Sequence, residues 1–506
     1  MTMPQSNSLP LEPRAAGVLL HITSLPSHWG VGDIGPTARQ FAARLGAAGL
    51  RYWQVLPLNP TTASAGDSPY YSSSARAANA LLISLEDLVD AGLLTVAEVS
   101  AAPGVSATRA DFGAARARKI PLLALAAERA AAVHSDSADF VAFCAKEADW
   151  LDDHALFTAI KEDFGTVWAH WPEGLKRRDV DDLRAVAERL ATAMTQEKWL
   201  QFLFQRQWQR LHAHCAAHDV WLFGDMPIYV NLDSVDVWAS PAAFKLDEEL
   251  RPSAESGVPP DYFSETGQLW RNPVYDWEHL QRDDFCWWQR RLTTLLRRLD
   301  VLRIDHFRGL VQYWEVAPGA HTAIDGHWRD VPSDAFFTAM QAAFDPLPVV
   351  AEDLGTITPD VIQVRERYGF PGMIVLQFAF GDDHSDNPYI PDNHAENAVA
   401  YLGTHDNNTT RSWYEEELDE AAQARLARYV EPGPGELVVE RMIDLLLSSR
   451  ARTAIVCAQD LLALDGSARM NRPGLESGNW DWQLSSAQFE SLPLDCLADR
   501  CRAYGR

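Results

Sequence analysis

Four short apolar runs of this sequence end in carboxylates: Phe223-Gly-Asp225, Arg303-Ile-Asp305, Ala351-Glu-Asp353 and Gly403-Thr-His-Asp406. A single acid after a strand is ordinarily an N-cap for the next helix. Four at the same end of one parallel barrel would converge on its mouth, where barrel active sites sit. Two carboxyl groups flanking a scissile bond are the equipment of glycoside chemistry. Arg303 and Asp305 are two apart on a strand and share a face. That guanidinium is expected to lower the Asp305 pKa and keep it ionised, as suits a nucleophile. Glu352 has the reach of a general acid, and neighbouring carboxylates would hold it protonated. Asp406, beside His405, could hold ring hydroxyls and favour an oxocarbenium-like geometry.

The elements that must place these residues are eight β runs alternating with helical patterns. They are 18–22, 52–57, 220–224, 301–304, 349–351, 373–378, 399–402 and 454–457. Helical stretches such as 37–48, 201–218 and 359–367 lie between them. The alternation predicts an α/β fold, a (β/α)8 TIM barrel with inserted, mainly helical subdomains and long loops over its C-terminal mouth. A doubly wound open sheet is the alternative. Residues 1–16 form an N-terminal tail and 17–506 the catalytic barrel. About 160 residues separate the second and third runs, far more than one crossover needs. An inserted helical subdomain is therefore assigned to 80–200, and a loop-rich insertion covering the active site to 231–280.

The 506 residues carry 44 Lys plus Arg against 70 Asp plus Glu, a formal charge of −26. Phosphate binding needs clustered cations, so this balance argues against nucleic acid or an anionic membrane as partner. No apolar run approaches the roughly 18 residues of a membrane span. The N-terminus lacks a secretory pattern, and the six cysteines are scattered with no zinc spacing, so a reduced cytoplasmic enzyme is expected. Eighteen Trp beside 20 Phe and 13 Tyr suit a sugar's apolar face and hydroxyl rim, although core packing also uses such rings. Gly30-Val-Gly-Asp-Ile-Gly35 matches a dinucleotide fingerprint in form only. Six residues separate it from the strand, and no ribose-binding acid follows about 20 positions on. His212, His214 and His218 lack a metal-binding pattern.

At these residues the chain resembles the 4-α-glucanotransferases called disproportionating enzymes or amylomaltases, glycoside hydrolase family 77. The likeness runs from about Gly17 to Gln483. Asp67-Ser-Pro-Tyr70, Gly224-Asp-Met-Pro-Ile228, the 257–270 loop, Arg303-Ile-Asp-His-Phe-Arg308, Ala351-Glu-Asp-Leu-Gly355 and Thr404-His-Asp-Asn407 carry it. Arg469-Met-Asn-Arg-Pro-Gly474 and Gly478-Asn-Trp480 complete the set. The resemblance implies Asp305 as nucleophile, Glu352 as general acid/base and Asp406 as transition-state stabiliser. It implies Tyr70, Asp225, Tyr262, Phe263, Gln268, Trp270, Arg303, His405 and Asn471 as substrate-binding residues. α-1,4-Glucans and malto-oligosaccharides would be donors, and glucose or malto-oligosaccharides acceptors. The reaction would be a retaining transfer with no metal or organic cofactor, by a chain taken as a monomer. Two departures stand out. Arg271 occupies a position where the family often has glycine, and Gln483 one where it has arginine; both are expected to alter acceptor-side contacts. An α-glucan hydrolase on the same barrel, or a non-catalytic glucan-binding protein, are the competing readings.

Overall fold

The computed structural model describes residues 10–101, 109–134, 137–260, 264–475 and 477–506. Its twelve strands, in chain order, are β1 (Ala15–Leu19), β2 (Tyr52–Gln54), β3 (Trp221–Met226), β4 (Glu255–Val258), β5 (Gln268–Pro273), β6 (Val301–Ile304), β7 (Gln312–Val316), β8 (Gly326–Asp330), β9 (Val349–Ala351), β10 (Gly372–Val375), β11 (Ala398–Tyr401) and β12 (Thr453–Cys457). Eight are parallel in the order β10-β11-β12-β1-β2-β3-β6-β9. The Ala351 N–H donates to the Pro371 carbonyl at 2.9 Å across the β9–β10 seam. The fold is therefore an α/β (β/α)8 barrel, and each of the eight apolar runs overlaps a barrel strand.

Alternation along those strands builds two cores. Leu19, Tyr52, Phe223, Val301, Val350, Met373, Val399, Tyr401 and Ile455 fill the interior. Val18, Trp53, Leu222, Leu302, Val349, Ala400 and Val456 pack outward against helices. The interior leaves no room for a side chain at position 17, where a Cβ would sit 2.3 Å from the Tyr52 carbonyl oxygen. Near the mouth the interior turns polar, and the Tyr401 hydroxyl donates to Gln54 Oε1 at 2.9 Å.

The helix Pro36–Ala47 illustrates the outer layer. Proline supplies its N-terminus, and Ala38, Phe41, Ala42 and Leu45 make one buried stripe. Phe41 meets Trp53 edge-on at 4.9 Å. Burying such a ring contributes about 1.5–3 kcal/mol. Trp208 is likewise buried, while Trp221 packs against Tyr52 at 5.3 Å.

Between β2 and β3 lie the helices Phe112–His134, Ala138–Lys146, Ala148–Phe164, Val180–Arg189 and Ala191–Ala217. Buried Lys119 ties the first to Asp33, in the turn after β1, at 3.1 Å. Residues 231–280 are less loop-like than expected. They contribute β4 and β5 to an antiparallel sheet ordered β5-β4-β7-β8, beside the short helices Val235–Ala239 and Trp277–Arg282.

Candidate active site

The ends of β3, β6, β9 and β11 carry the predicted acids to one place. Two backbone hydrogen bonds extend the parallel ladder past the strand ends: Asp305 N–H to the Met226 carbonyl at 3.0 Å, and Glu352 N–H to the Ile304 carbonyl at 3.1 Å. Each anchors the backbone from which a carboxylate projects.

Arg303 is the hub, its side chain only 3% exposed. Nη1 donates to both oxygens of Asp225 at 2.8 Å, and Nη2 lies 2.8 Å from Asp305 Oδ1. Nε points at the Met373 sulfur, 3.4 Å away. The Tyr70 hydroxyl donates to Asp225 Oδ2 at 2.7 Å and sits 2.8 Å from His405 Nε2. Its ring stacks on His405 with centroids 5.3 Å apart, and Trp480 lies 5.5 Å beyond. His405 pairs with Asp406 at 3.2 Å, and Asn471 Nδ2 donates to Asp406 Oδ1 at 2.6 Å. Glu352 accepts two backbone bonds, from His306 N–H at 2.7 Å and Leu354 N–H at 3.0 Å.

Tyr70, Asp225, Arg303, Asp305, Glu352, His405, Asp406 and Asn471 thus come together. Trp270 reaches them through His306, which its ring meets edge-on at 4.8 Å. Gln268 is one step further out, accepting from the Trp270 indole N–H at 3.2 Å. Tyr262 and Phe263 lie outside the described residues. Trp480, Arg469 and His306 were absent from the expected site. Arg469 Nη2 holds the Asp406 carbonyl at 2.9 Å. All three stand inside the quoted motifs, where nothing else in the sequence singles them out from their neighbours.

The acids differ in proton affinity. Burial and repulsion from Asp305 outweigh Arg303 and the two N–H donors at Glu352, pushing it up to about 7. Asp305 departs from expectation. Burial, with Asp225 and Asp406 adding to it, overrides Arg303 and pushes Asp305 up to about 6. With 30% of its side chain open to the cleft and Arg303 2.8 Å away, Asp305 is the better placed of the two to carry the charge. Burial would raise Asp406 too, but His405 and Asn471 reverse the sign and hold it below the usual carboxylate range. For His405 burial opposes the charge, and Asp406 more than restores it, leaving the pKa raised. The mouth therefore offers one carboxyl that can give a proton, one better placed to carry charge, and one firmly anionic.

The two departures resolve differently. Arg271 has φ +60°, the left-handed region where glycine is at ease, within a β-bulge of β5 opposite β4. Its exposed guanidinium donates to the Ala320 carbonyl at 3.3 Å. Gln483 packs inside the fold. It is 2% exposed and its amide donates to the Thr23 and Leu25 carbonyls at 3.2 and 2.9 Å, stapling the C-terminal segment to the chain after β1. Arginine, a pure donor, would suit the same two carbonyls, whereas the Gln483 Oε1 is buried without a partner.

Two carboxyls of unequal acidity, a guanidinium and stacked aromatic rings at a barrel mouth make a site suited to glycosidic-bond chemistry. A family model described as 4-alpha-glucanotransferase matches residues 20–488. The 4-alpha-glucanotransferase of Synechocystis sp. is 44% identical over 502 residues, covering 98% of this chain and 99% of that protein. That of Thermus thermophilus is 45% identical over 482 residues, covering 93% and 95%. The structure of amylomaltase from Streptococcus agalactiae in complex with acarbose superposes with a TM-score of 0.93 at 35% identity, covering 97% of this chain and 99% of that one. This chain belongs to the 4-α-glucanotransferase family.

Proposed function

We propose that this protein is a 4-α-glucanotransferase. It moves α-1,4-glucan segments from a malto-oligosaccharide or starch-like donor to the 4-hydroxyl of glucose or another glucan. The observation that carries this reading is the convergence at one barrel mouth of Asp305, 2.8 Å from the Arg303 guanidinium, Glu352, held by the His306 and Leu354 N–H groups, and Asp406, held by His405 and Asn471.

The chemistry is a retaining double displacement. An Asp305 oxygen bonds to the anomeric carbon as the glycosidic C–O bond breaks, and the Glu352 proton goes to the departing oxygen. Glu352, now ionised, takes the proton of the acceptor's 4-hydroxyl, which displaces Asp305 and restores the α configuration. Asp406, kept anionic by His405 and Asn471, holds ring hydroxyls and favours positive charge at the anomeric carbon. Tyr70 gives the sugar a stacking face, while Asp225 and Arg303 hold that ring and Asp305 in place. Transfer exceeds hydrolysis when an acceptor is held well and water is excluded. Trp270, Gln268, Tyr262 and Phe263 of the 231–280 cover serve that end, and residues 80–200 act as a helical subdomain buttressing it. No cofactor takes part.

A single chain is taken as the functional unit in this reading. Six free cysteines, three of them buried, support a reducing, cytoplasmic setting. Among the described residues no helix is long and apolar enough to cross a membrane.

Incubation with maltotriose tests the reading. Transfer yields glucose and longer oligomers while the number of reducing ends stays constant. Rising reducing ends mean a hydrolase, and unchanged maltotriose means a binding protein.

The acidities make a second prediction. kcat/KM is expected to follow a narrow bell, its acidic limb set by ionisation of Asp305 and its alkaline limb by loss of the Glu352 proton, both above the ordinary carboxylate range because burial raises each. Glu352→Gln removes the alkaline limb along with most activity. It also changes stability in a stated direction. The folded pKa of Glu352 lies above the ordinary 4.5, so its stabilising share is present below that value and is lost as pH rises through about 7. The neutral amide escapes that loss. Glu352→Gln should raise Tm at about pH 8 and leave it unchanged at about pH 4. An equal Tm at the higher pH would contradict the assignment.

A further inference from the structure

His306 follows the proposed nucleophile and takes a left-handed conformation, φ 54° and ψ 51°. Side chains other than glycine seldom stay there, and where they do the backbone is strained for a purpose. The purpose here is visible, because this conformation aims the His306 N–H at Glu352 Oε2, 2.7 Å away. The ring of the same residue turns the other way. It lies edge-to-face on Trp270, interplanar angle 89°, with Nε2 buried and lacking a hydrogen-bond partner. Behind it, position 309 must be glycine, since a Cβ there would fall 2.9 Å from the imidazole Cδ2. One residue therefore touches the acid/base with its backbone and the covering strand with its side chain.

The ring is neutral at working pH, because burial and the nearby Arg308 push its pKa down to about 4. It bears on Trp270 as a rigid wedge. Trp270 is itself aimed by the bulge at Arg271 and by its bond to Gln268. The indole touches the imidazole, and the N–H of the same residue stabilises ionised Glu352.

We propose that His306 is a positioning residue that couples acceptor occupancy at Trp270 to the acidity of Glu352. This rests on the transferase reading. A sugar stacking on Trp270 presses the imidazole into place and tightens the N–H bond. The Glu352 pKa then falls just when the residue must act as a base. Without an acceptor the bond is looser, and Glu352 keeps the higher pKa that suits an acid.

The test is the acidic limb of the second, acceptor-dependent step, which Glu352 sets as base because Asp305 is then esterified, with maltotriose as donor, at low and at saturating glucose. In the intact protein the limb should move to lower pH by at least about half a unit as glucose saturates. His306→Gly tolerates the left-handed backbone and keeps the N–H, but lacks the ring. It should lose that shift and show a glucose KM raised about tenfold. His306→Asn, which also accepts this backbone, controls for folding and should behave like the glycine variant. A glucose-independent limb in the intact protein overturns the coupling, as does an unaltered shift in either variant. Failure of the intact protein to disproportionate maltotriose would instead refute the transferase reading itself.

Discussion

Asp305→Asn is expected to lower glucan transfer by at least about 10⁴-fold, ~5.5 kcal/mol of barrier, with the fold intact. The amide is close to isosteric with the acid and can still meet Arg303, whose principal partner is Asp225 through both oxygens. What it lacks is a lone pair able to form the glucosyl ester. Nothing nearby substitutes. Asp406 is tied to His405 and Asn471, Asp225 is closed off by Arg303 and Tyr70, and Glu352 is needed for the proton. The variant should melt no lower than the parent, because the carboxyl it removes has a pKa raised largely by burial, so its ionised form works against folding. Glu352 should also become more acidic, since repulsion from Asp305 is among the causes of its raised pKa. Residual transfer of about one per cent or more of the parent rate in the pure variant would remove Asp305 from the nucleophile's place.

That residue was legible in the sequence because it directly follows a strand, and strands announce themselves when both faces are buried. Val301-Leu-Arg-Ile304 is apolar except for Arg303, whose charge needs the acids that the site supplies. The run 373–378 overshot for the same reason. Apolar character continues beyond the strand Gly372–Val375 into the 3₁₀ turn Leu376–Phe380, so hydropathy could not mark the end. Strands β4 and β5 were unreadable. Glu255-Ser-Gly-Val258 has no strong alternation, its partner β7 lies far along the chain, and the bulge at Arg271 breaks the register. The Tyr70–Asp225–His405 triangle joins residues separated by 155 and 335 positions from Tyr70, so family resemblance alone pointed to it. The sign of Arg303's influence on Asp305 could be read from two letters. The net shift could not, because burial and two further carboxylates arrive only with the fold.

Arg303 carries the other large prediction, because a single guanidinium serves three acids. Arg303→Met would leave Asp225 deep in the barrel with only the Tyr70 hydroxyl, and breaking a buried pair in this way costs about 3–5 kcal/mol. Tm should therefore fall steeply. Arg303→Lys is the more telling variant. A lysine ammonium keeps the charge, but as a compact point charge it cannot chelate Asp225 and touch Asp305 at once, as the planar fork does at 2.8 Å to each. Arg303 lowers the pKa of both Asp305 and Glu352, so weakening its hold raises both. The whole pH–rate bell should then move to higher pH, and activity at neutral pH should drop by about tenfold, the loss of ionised Asp305 that a rise of about two units would cause. The direction is what matters. A role limited to packing would lower Tm and leave the limbs in place, and a fixed bell in a folded Arg303→Lys protein would show that the guanidinium does not set the acidity of the two carboxyls.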